Sequence, residues 1–314
     1  MKLAFTFPGQ GSQSVGMGKD LADNFAAARA IFDEVDDALS QNLSGLMWDG
    51  PMEDLTLTAN TQPALMACSL VAMAVLRQEF DVDVSAASYV AGHSLGEYSA
   101  LCAAGSLSLA ETAKLLRLRG EAMQKAVPVG VGAMAALLGA DLDMANAAVI
   151  VGAKSGVCQI ANDNANGQVV ISGGKSAVEA AIEAANELGV RKAVLLPVSA
   201  PFHCDLMAPA AEAMADALAD TDLKAPVVPV VNNVTAGPVS DPAQLKSDLV
   251  AQVTGRVRWR ESVSWMAEGG VDTFAEPGTG KVLTGMLRRI VKGVDGVALS
   301  TPEALEKFAE RMNE

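Results

Sequence analysis

The sequence is poor in histidine, in paired cysteines and in positive charge, and each shortage excludes a class of protein. It holds two histidines and four scattered cysteines, with no C-x-x-C pair: Cys68, Cys102, Cys158 and Cys204. Neither a zinc site nor a disulfide framework is predicted from these spacings. We therefore expect no metal and interpret the cysteines as free thiols in a reducing cytoplasm.

Positive charge is scarce, because 23 Lys and Arg residues face 37 Asp and Glu, for a formal net charge of −14. Such a chain lacks the basic surface that follows nucleic-acid phosphates. No uncharged apolar run reaches the roughly 18 residues that span a bilayer. The opening MKLAFTFPGQG indicates a first strand, with no signal-peptide cleavage site. We expect a cytoplasmic protein with neither a nucleic-acid nor a membrane partner.

What the sequence does have is enough apolar residues for a large core. Half of its 314 residues are hydrophobic and only 19% are charged, which predicts a compact globular protein. Short apolar strands alternate with helical patterns in the first 127 residues. The predicted strands cover 3–7 and 88–92, and the predicted helices cover 18–39, 62–80, 94–104 and 109–127.

The pattern changes between residues 128 and 197. Two strand–helix–strand units follow each other there, in the order β-α-β-β-α-β of a ferredoxin-like unit. A further helix is predicted near 207–218, strands near 227–232 and 271–274, and a helix at 280–291. The ferredoxin-like stretch between two α/β stretches predicts a small subdomain inserted into a larger one.

The stretch VAGHSLGEYSA, residues 90–100, contains the G-x-S-x-G pattern of a nucleophile elbow around Ser94. A strand precedes it and a helix follows it, which is the context that this motif requires. The turn would expose the serine hydroxyl, and the amides at the start of the helix would face an oxyanion.

A serine hydroxyl needs a general base within hydrogen-bond reach, and only two histidines are available. His93 is adjacent to Ser94, where neighbouring side chains point in different directions, so we interpret it as a packing residue. His203 follows a strand and a proline turn in VSAPFHCDLM. It is the candidate base, with an ordinary loop histidine as the alternative.

The helix LAETAKLLRLRGEAMQKAV places an arginine where a hydrophobic residue is expected. At 100° per residue, Arg119 falls near the middle of the apolar face, away from the solvated face that holds Arg117 and Glu121. A buried guanidinium needs an anion. An internal Asp or Glu is one candidate, and a substrate carboxylate held by the planar fork is the other.

Seven pieces of the chain, in order, resemble the malonyl-CoA:acyl-carrier-protein transacylases of fatty-acid synthesis. They are FPGQGSQ, TQPAL, GHSLGEYSAL, the Arg119-Gly120 pair, GQVVISG, APFH and EPGTGKVLTGM. The resemblance implies an α/β fold, with an α/β-hydrolase-like core at 1–127 and 198–314 and an inserted ferredoxin-like subdomain at 128–197. It also implies malonyl-CoA as substrate, acyl carrier protein as partner, and no tightly bound cofactor.

By position, the resemblance implies a role for each candidate residue. Ser94 would carry the malonyl ester, and His203 would be its base and then the acid that protonates coenzyme A. Backbone N–H groups of Gln10 and Leu95 would form the oxyanion hole, and Arg119 would hold the malonyl carboxylate.

Two further assignments follow from the resemblance. The family orients its histidine through a backbone carbonyl, and in the segment GRVRWRES the matching residue is Arg258. Phe202, before the histidine, matches relatives that select malonyl, whereas methylmalonyl-selecting relatives carry a serine there.

Two glycine-rich segments do not fit nucleotide-binding motifs. FPGQGSQSVG has Ser14 at the third glycine position of a dinucleotide motif, and EPGTGKVLTG has Val282 where a phosphate loop needs Ser or Thr. We interpret both as closely packed turns.

The carrier protein is acidic, so an acidic enzyme needs a local basic patch to bind it. Basic residues are concentrated near the C-terminal end, and some of them are predicted to form the docking surface together with Arg191 and Lys192. They are Arg256, Arg258, Arg260, Lys281, Arg288, Arg289 and Lys292.

Two other functions stay open at this point. A serine esterase or thioesterase would share the elbow, but it predicts an acidic residue behind His203, for which Asp163 is a candidate. A non-catalytic carrier-binding protein would keep the fold, but it has no need for Ser94, His203 and Arg119 together.

Overall fold

Two separate β-sheets organise the chain in the computed structural model, which describes residues 1–313. The strands are β1 (Leu3–Phe7), β2 (Tyr89–Gly92), β3 (Gly132–Leu138), β4 (Cys158–Ala165), β5 (Gln168–Gly174), β6 (Lys192–Leu195), β7 (Val230–Val231), β8 (Pro238–Val239), β9 (Thr273–Pro277) and β10 (Asp295–Leu299).

The larger sheet has the order β10-β9-β1-β2-β7-β8. Its first five strands are parallel, and only β8 runs antiparallel to its neighbour. Every residue of β1 is buried, as expected for a central parallel strand covered on both faces. Parallel neighbours place their carboxyl ends at one edge, and β2 there leads directly into the serine turn.

The smaller sheet has the order β4-β5-β3-β6, and every pair in it is antiparallel. Together with the two helices between its strands, this is the predicted ferredoxin-like arrangement. The two-residue turn Asn166-Gly167 joins β4 to β5, with Gly167 at φ 74°, a left-handed conformation that favours glycine. The fold class is therefore the predicted one, and the exact limits 128 and 197 of the insertion stay a prediction.

Helices cover both faces of the larger sheet and one face of the smaller one. They are α1 (Lys19–Asn24), α2 (Ala26–Leu39), α3 (Leu43–Asp49), α4 (Met52–Thr56), α5 (Thr58–Phe80), α6 (Gly96–Ala103), α7 (Leu109–Ala126), α8 (Leu142–Gly152), α9 (Lys175–Glu187), α10 (Ala208–Ala219), α11 (Pro242–Thr254), α12 (Trp259–Glu268), α13 (Val282–Ile290) and α14 (Pro302–Asn313).

One predicted helix is in fact two. The expected helix 18–39 is interrupted at Phe25, whose extended backbone (φ −128°, ψ 127°) separates α1 from α2. Phe25 packs against the ring of Phe80 at the end of α5, with 6.3 Å between centroids. The break between α1 and α2 therefore coincides with the packing of the Phe25 ring in the core. Helical periodicity in the sequence does not reveal such a break.

Helix α5 is the central helix of the core. It is the one helix within residues 1–313 that is long and apolar enough by composition to cross a membrane, and 83% of its most apolar stretch is buried inside the protein. A helix that is hydrophobic on all sides is expected at such a position inside a large domain.

Strand β4 of the smaller sheet is joined to the loop between α11 and α12 of the core by backbone contacts. The Asp163 amide donates to the Val257 carbonyl at 2.9 Å, and the Val257 amide donates to the Ala161 carbonyl at 2.8 Å. Arg260 adds an ion pair to Asp163 at 2.8 Å. These contacts fix the smaller sheet against the core, and a cleft lies between the two sheets.

Candidate active site

Ser94 sits on the sharp turn between β2 and α6. Its φ is 54°, a left-handed conformation that is uncommon for a residue other than glycine. A Cβ on Gly92 would lie 1.9 Å from the Gly96 carbonyl group, and one on Gly96 would lie 2.2 Å from the Phe7 carbonyl oxygen. The turn therefore needs glycine on both sides of the serine, which explains the G-x-S-x-G spacing.

The Ser94 hydroxyl lies within hydrogen-bond distance of His203. Oγ and Nε2 are 2.8 Å apart, and on the other side of the ring Nδ1 is 2.8 Å from the Gln252 carbonyl oxygen. A carbonyl oxygen can only accept, so Nδ1 carries the proton. Nε2 is then free to accept the proton of the serine hydroxyl.

The residue that orients His203 is Gln252, and the prediction of Arg258 is wrong. Arg258 is the N-terminal flanking residue of α12, and its carbonyl accepts from the Ser262 amide at 2.9 Å. Its guanidinium is bound to Glu261. Gln252 lies six residues earlier, in the last turn of α11, where its carbonyl faces the imidazole.

His203 is neutral at physiological pH in this environment. Burial lowers the pKa of His203 to about 3, and the positive charge of Arg119 adds to this effect. Charging the ring inside the cleft is unfavourable because neither contact offers a negative partner. The imidazole is thus kept in the form that accepts a proton.

Arg119 is buried in α7, with 1% of its surface exposed. Its Nη1 donates to the Gln62 side-chain oxygen at 2.8 Å, and its Nη2 donates to the Gln252 side-chain oxygen at 2.9 Å and to Ser94 Oγ at 3.2 Å. Within residues 1–313 it forms no ion pair, and its Nε–H has no acceptor. The internal-acid alternative therefore does not hold at contact distance.

Two backbone N–H groups border the serine. Those of Gln10 and Leu95 donate no hydrogen bond within the described part of the chain, whereas the Ser94 amide donates to the Asn233 side chain at 2.7 Å. Both Gln10 and Leu95 line the same cavity as Ser94. The geometry leaves these two amides available to a ligand, and their oxyanion role stays a prediction.

The serine opens into a cavity of about 500 Å³ between the two sheets. Core residues line one wall, and Met134, Asn162 and Val170 of the smaller sheet line the other. Phe202 is 8% exposed and also lines it, beside His203. A specificity role for Phe202 stays a prediction.

The comparisons with known proteins agree with the family resemblance of the sequence. The acyl transferase domain family matches residues 4–301. A malonyl CoA-acyl carrier protein transacylase of Bacillus subtilis is 43% identical over 314 residues, covering 100% of this chain and 98% of the relative. The chain belongs to the malonyl-CoA:acyl-carrier-protein transacylase family.

Further relatives fit the family as closely. A transacylase with the same description from Escherichia coli K12 is 44% identical, covering 98% of this chain and 99% of the relative. The crystal structure of an acyl-carrier-protein-S-malonyltransferase from Bartonella henselae superposes with a TM-score of 0.98 at 54% identity, and each chain is covered completely.

His93 differs in role from its neighbour Ser94. Its Nε2 lies 2.8 Å from the Asn164 side-chain oxygen, and its ring packs against Trp259 with 5.7 Å between centroids. Burial lowers the pKa of His93. It contacts β4 of the smaller sheet and α12 of the core, as a packing residue would.

The structure adds four polar residues to the site that sequence reasoning missed. They are Gln62, Glu97, Asn233 and Gln252. Gln62 and Gln252 accept from Arg119, Asn233 accepts from the Ser94 amide, and Glu97 accepts from Gln252 and Asn233 behind them. Gln62 and Glu97 lie inside TQPAL and GHSLGEYSAL, segments that were recognised without a role for these residues. Gln252 carries one signal in the sequence, since it is a polar residue between apolar ones near the end of a helix.

Within residues 1–313, no group of three or more His, Cys, Asp and Glu residues is placed to hold a metal ion.

Proposed function

We propose that this chain transfers a malonyl group from coenzyme A to the phosphopantetheine thiol of acyl carrier protein, through an ester on Ser94. The observation that carries the proposal is the double contact of one hydroxyl. Ser94 Oγ lies 2.8 Å from the base His203 and 3.2 Å from the guanidinium of Arg119. A nucleophile beside an anion receptor fits an acyl donor that bears a free carboxylate.

In the first half-reaction, His203 Nε2 accepts the Ser94 proton while Oγ attacks the thioester carbonyl carbon. The carbonyl oxygen becomes an oxyanion facing the amides of Gln10 and Leu95. As the C–S bond breaks, the imidazolium returns the proton to the departing coenzyme A thiolate. The Gln252 carbonyl stabilises the imidazolium by accepting from Nδ1–H.

The second half-reaction reverses these steps with the carrier's thiol. His203 takes the thiol proton, the thiolate sulfur attacks the ester carbonyl, and the proton returns to Ser94 Oγ as the C–O bond breaks. The product is malonyl-carrier thioester and free serine. A solved complex of 40% identity and TM-score 0.96, which covers 99% of this chain, pairs a malonyl-transacylase with a type II PKS acyl-carrier protein, and this supports an acyl carrier protein as acceptor.

Arg119 supplies the preference for malonyl in this proposal. Arg119 lines the cavity and has no ion-pair partner within residues 1–313, in a buried setting where hydrogen bonds between charged groups are strong. Acetyl-CoA has no carboxylate to receive it, so acetyl transfer leaves the buried cation without an anion.

The hydrolase alternative is less well supported by the geometry. It requires an acid behind His203, and the residue there is the Gln252 main chain. Asp163, the candidate acid, is bound by Arg260 at 2.8 Å.

The experiment incubates the protein with radiolabelled malonyl-CoA and locates the label by peptide mapping. We expect label on Ser94, and its loss on adding carrier protein but not on adding water. Ser94→Ala abolishes the label, and Ser99→Ala, a buried serine one turn further along α6, retains it. Rapid release into water would support the hydrolase instead, and the lack of any label would refute catalysis.

We propose further that the carrier docks beside the β4–β5 turn. Several of the predicted basic residues are already paired, because Arg256 and Arg258 bind Glu261 and Arg260 binds Asp163. The remaining exposed ones are Arg191, Lys192, Lys281, Arg288, Arg289 and Lys292.

The turn itself connects two of these basic positions. The Asn166 side chain donates to the Arg289 carbonyl at 2.8 Å, and the Gly139 amide donates to the Gly167 carbonyl at 2.8 Å. A Cβ on Gly139 would lie 2.9 Å from Arg191 Cβ. Arg191 and α13 thus border one turn, which gives the acidic carrier a compact basic surface.

Charge reversal tests this surface. Arg288→Glu should raise the KM for carrier at least about fivefold at low salt, with a smaller effect at high salt, because the interaction is screened. The control variant Lys114→Glu makes the same change of charge at an exposed position of α7. It should leave the KM for carrier unchanged. An equal effect of both variants would refute a local patch.

The cytoplasm is the proposed location. Its support is that the four cysteines are unpaired, as expected in a reducing compartment.

A further inference from the structure

A fully buried carboxyl group lies behind the site, outside the cavity. Glu97 stands in the first turn of α6, three residues after Ser94, with 0% of its surface exposed. Its Oε2 accepts from the Gln252 side-chain amide at 2.9 Å and from the Asn233 backbone amide at 3.0 Å. Its Oε1 has no partner within residues 1–313. A buried carboxyl is costly, and the mechanism above does not use it.

The Gln252 side chain connects this carboxyl to the guanidinium. Its oxygen accepts from Arg119 Nη2 at 2.9 Å, while its nitrogen donates to Glu97 Oε2. An amide has one accepting end and one donating end. Since the guanidinium only donates and a carboxylate oxygen accepts, only one of the two amide orientations satisfies both neighbours.

The Gln252 amide thus lies between the Arg119 guanidinium and the Glu97 carboxyl group, which do not contact each other directly. A direct ion pair would occupy the fork of the guanidinium and compete with a substrate carboxylate. The interposed amide holds the guanidinium by one Nη2 bond, brings no charge into contact with it, and leaves Arg119 at the cavity wall. The arginine is thereby oriented without being blocked.

We propose that Glu97 is a positioning residue, which fixes the Gln252 amide and through it aims Arg119 at the carboxylate of the acyl group. The inference rests on the proposed malonyl transfer. Burial raises the pKa of Glu97 to about 7 and Arg119 opposes that rise, so the two groups sense each other. The Gln252 side-chain nitrogen also donates to the Ser94 carbonyl oxygen at 3.0 Å, but neither Ser94 Oγ nor the His203 ring is bonded to this side chain. Glu97 should therefore influence malonyl selection more than the serine chemistry itself.

The first test compares kcat/KM for malonyl-CoA with kcat/KM for acetyl-CoA in three variants. Glu97→Ala removes the carboxyl group that accepts from the Gln252 amide. Gln252→Met removes the amide that connects this carboxyl group to Arg119. Both should lower the malonyl-to-acetyl ratio at least about tenfold. Glu97→Gln keeps an oxygen facing both donors and should restore the ratio to within about threefold of the unchanged protein.

Glu276 provides a matched control. It is also fully buried, and its two oxygens accept from the Leu283 and Thr284 amides at 3.0 and 2.7 Å, but none of its hydrogen bonds leads to Arg119. Glu276→Ala should lower the stability and leave the ratio within about twofold. An equal loss for both substrates in Glu97→Ala and Gln252→Met would overturn the proposal.

The second test is a double-mutant cycle on the acylation rate with malonyl-CoA. If Glu97 acts through Arg119, Glu97→Ala should cost less than about threefold in the Arg119→Ala background. A second full loss there would show an independent structural role and refute the inference. If Glu97→Ala does not fold, the same cycle with Gln252→Met decides.

The two proposals fail in different ways. If the unchanged protein takes no label on Ser94 from malonyl-CoA, the proposed function itself is wrong. If Ser94 is labelled normally but the ratio does not respond to Glu97 and Gln252, only the positioning role is wrong.

Discussion

Replacement of Arg119 by alanine should reduce malonyl transfer far more than acetyl transfer. A hydrogen bond to a charged group contributes about 1.5–3 kcal/mol, and a bidentate carboxylate contact contains two of them. Losing both costs about 3–6 kcal/mol, which is a decrease of about 10²- to 10⁴-fold in kcat/KM. Arg119→Ala also leaves the side-chain oxygens of Gln62 and Gln252 without their donor. That second cost is common to both substrates.

The ratio of the two kcat/KM values therefore isolates the carboxylate contact. Rapid-quench measurement of Ser94 acylation by malonyl-CoA and by acetyl-CoA gives both values on the same preparation. Arg119→Lys is the matched control, because it keeps the charge but not the fork, and it should recover only part of the malonyl rate. If malonyl and acetyl transfer fall by the same factor in Arg119→Ala, Arg119 is structural and the reasoning fails.

Three further predictions concern stability and reactivity. Gly96→Ala places a methyl group 2.2 Å from the Phe7 carbonyl oxygen and should lower the free energy of unfolding by about 1–3 kcal/mol or more, whereas Gly285→Ala, with open space around it, should be neutral or stabilising; urea unfolding of both checks this. Burial raises the pKa of Glu97 from 4.5 to about 7, so its contribution to stability is complete below the unfolded pKa and is lost as the pH rises through 7. Glu97→Gln should thus gain ~3 kcal/mol relative to the unchanged protein between about pH 4 and pH 8, and a pH-independent difference would contradict the shift. Burial raises the pKa of the Cys68 thiol to about 12, so a thiol reagent should modify this cysteine only after denaturation, as read by mass spectrometry, and rapid labelling of native Cys68 would count against its burial.

Much of the fold could be predicted from local patterns. Strand β1 and helix α7 follow from periodicity and turn residues, and both were placed within one residue of their observed ends. The order of the four strands and two helices between residues 128 and 197 was also predicted correctly. Short elements were missed where tertiary contact defines them. Strand β8 has two residues and exists only by pairing with β7, and no periodicity can show so short an element.

The site residues that could be predicted are those whose residue type is unusual at their position. Ser94, His203 and Arg119 were found because a hydroxyl in an elbow, a rare histidine and a misplaced arginine each stand out in the sequence. Gln252 and Glu97 were not found, because amides and carboxyls are common and their significance depends on which groups surround them. Arg258 was assigned by position in a segment, and a backbone carbonyl carries no side-chain signal that could correct the choice.

The oxygen that accepts the hydrogen bond from His203 Nδ1–H is the main-chain carbonyl oxygen of Gln252. Every amino acid at position 252 has the same main-chain oxygen. A complete set of substitutions there would therefore measure only the contribution of the Gln252 side-chain amide. The interaction can be removed only by moving the end of helix α11, through insertion, deletion or a backbone ester. The activities of variants at position 252 will therefore report how the side chain influences Arg119. They will not report the hydrogen bond between the main-chain carbonyl and His203.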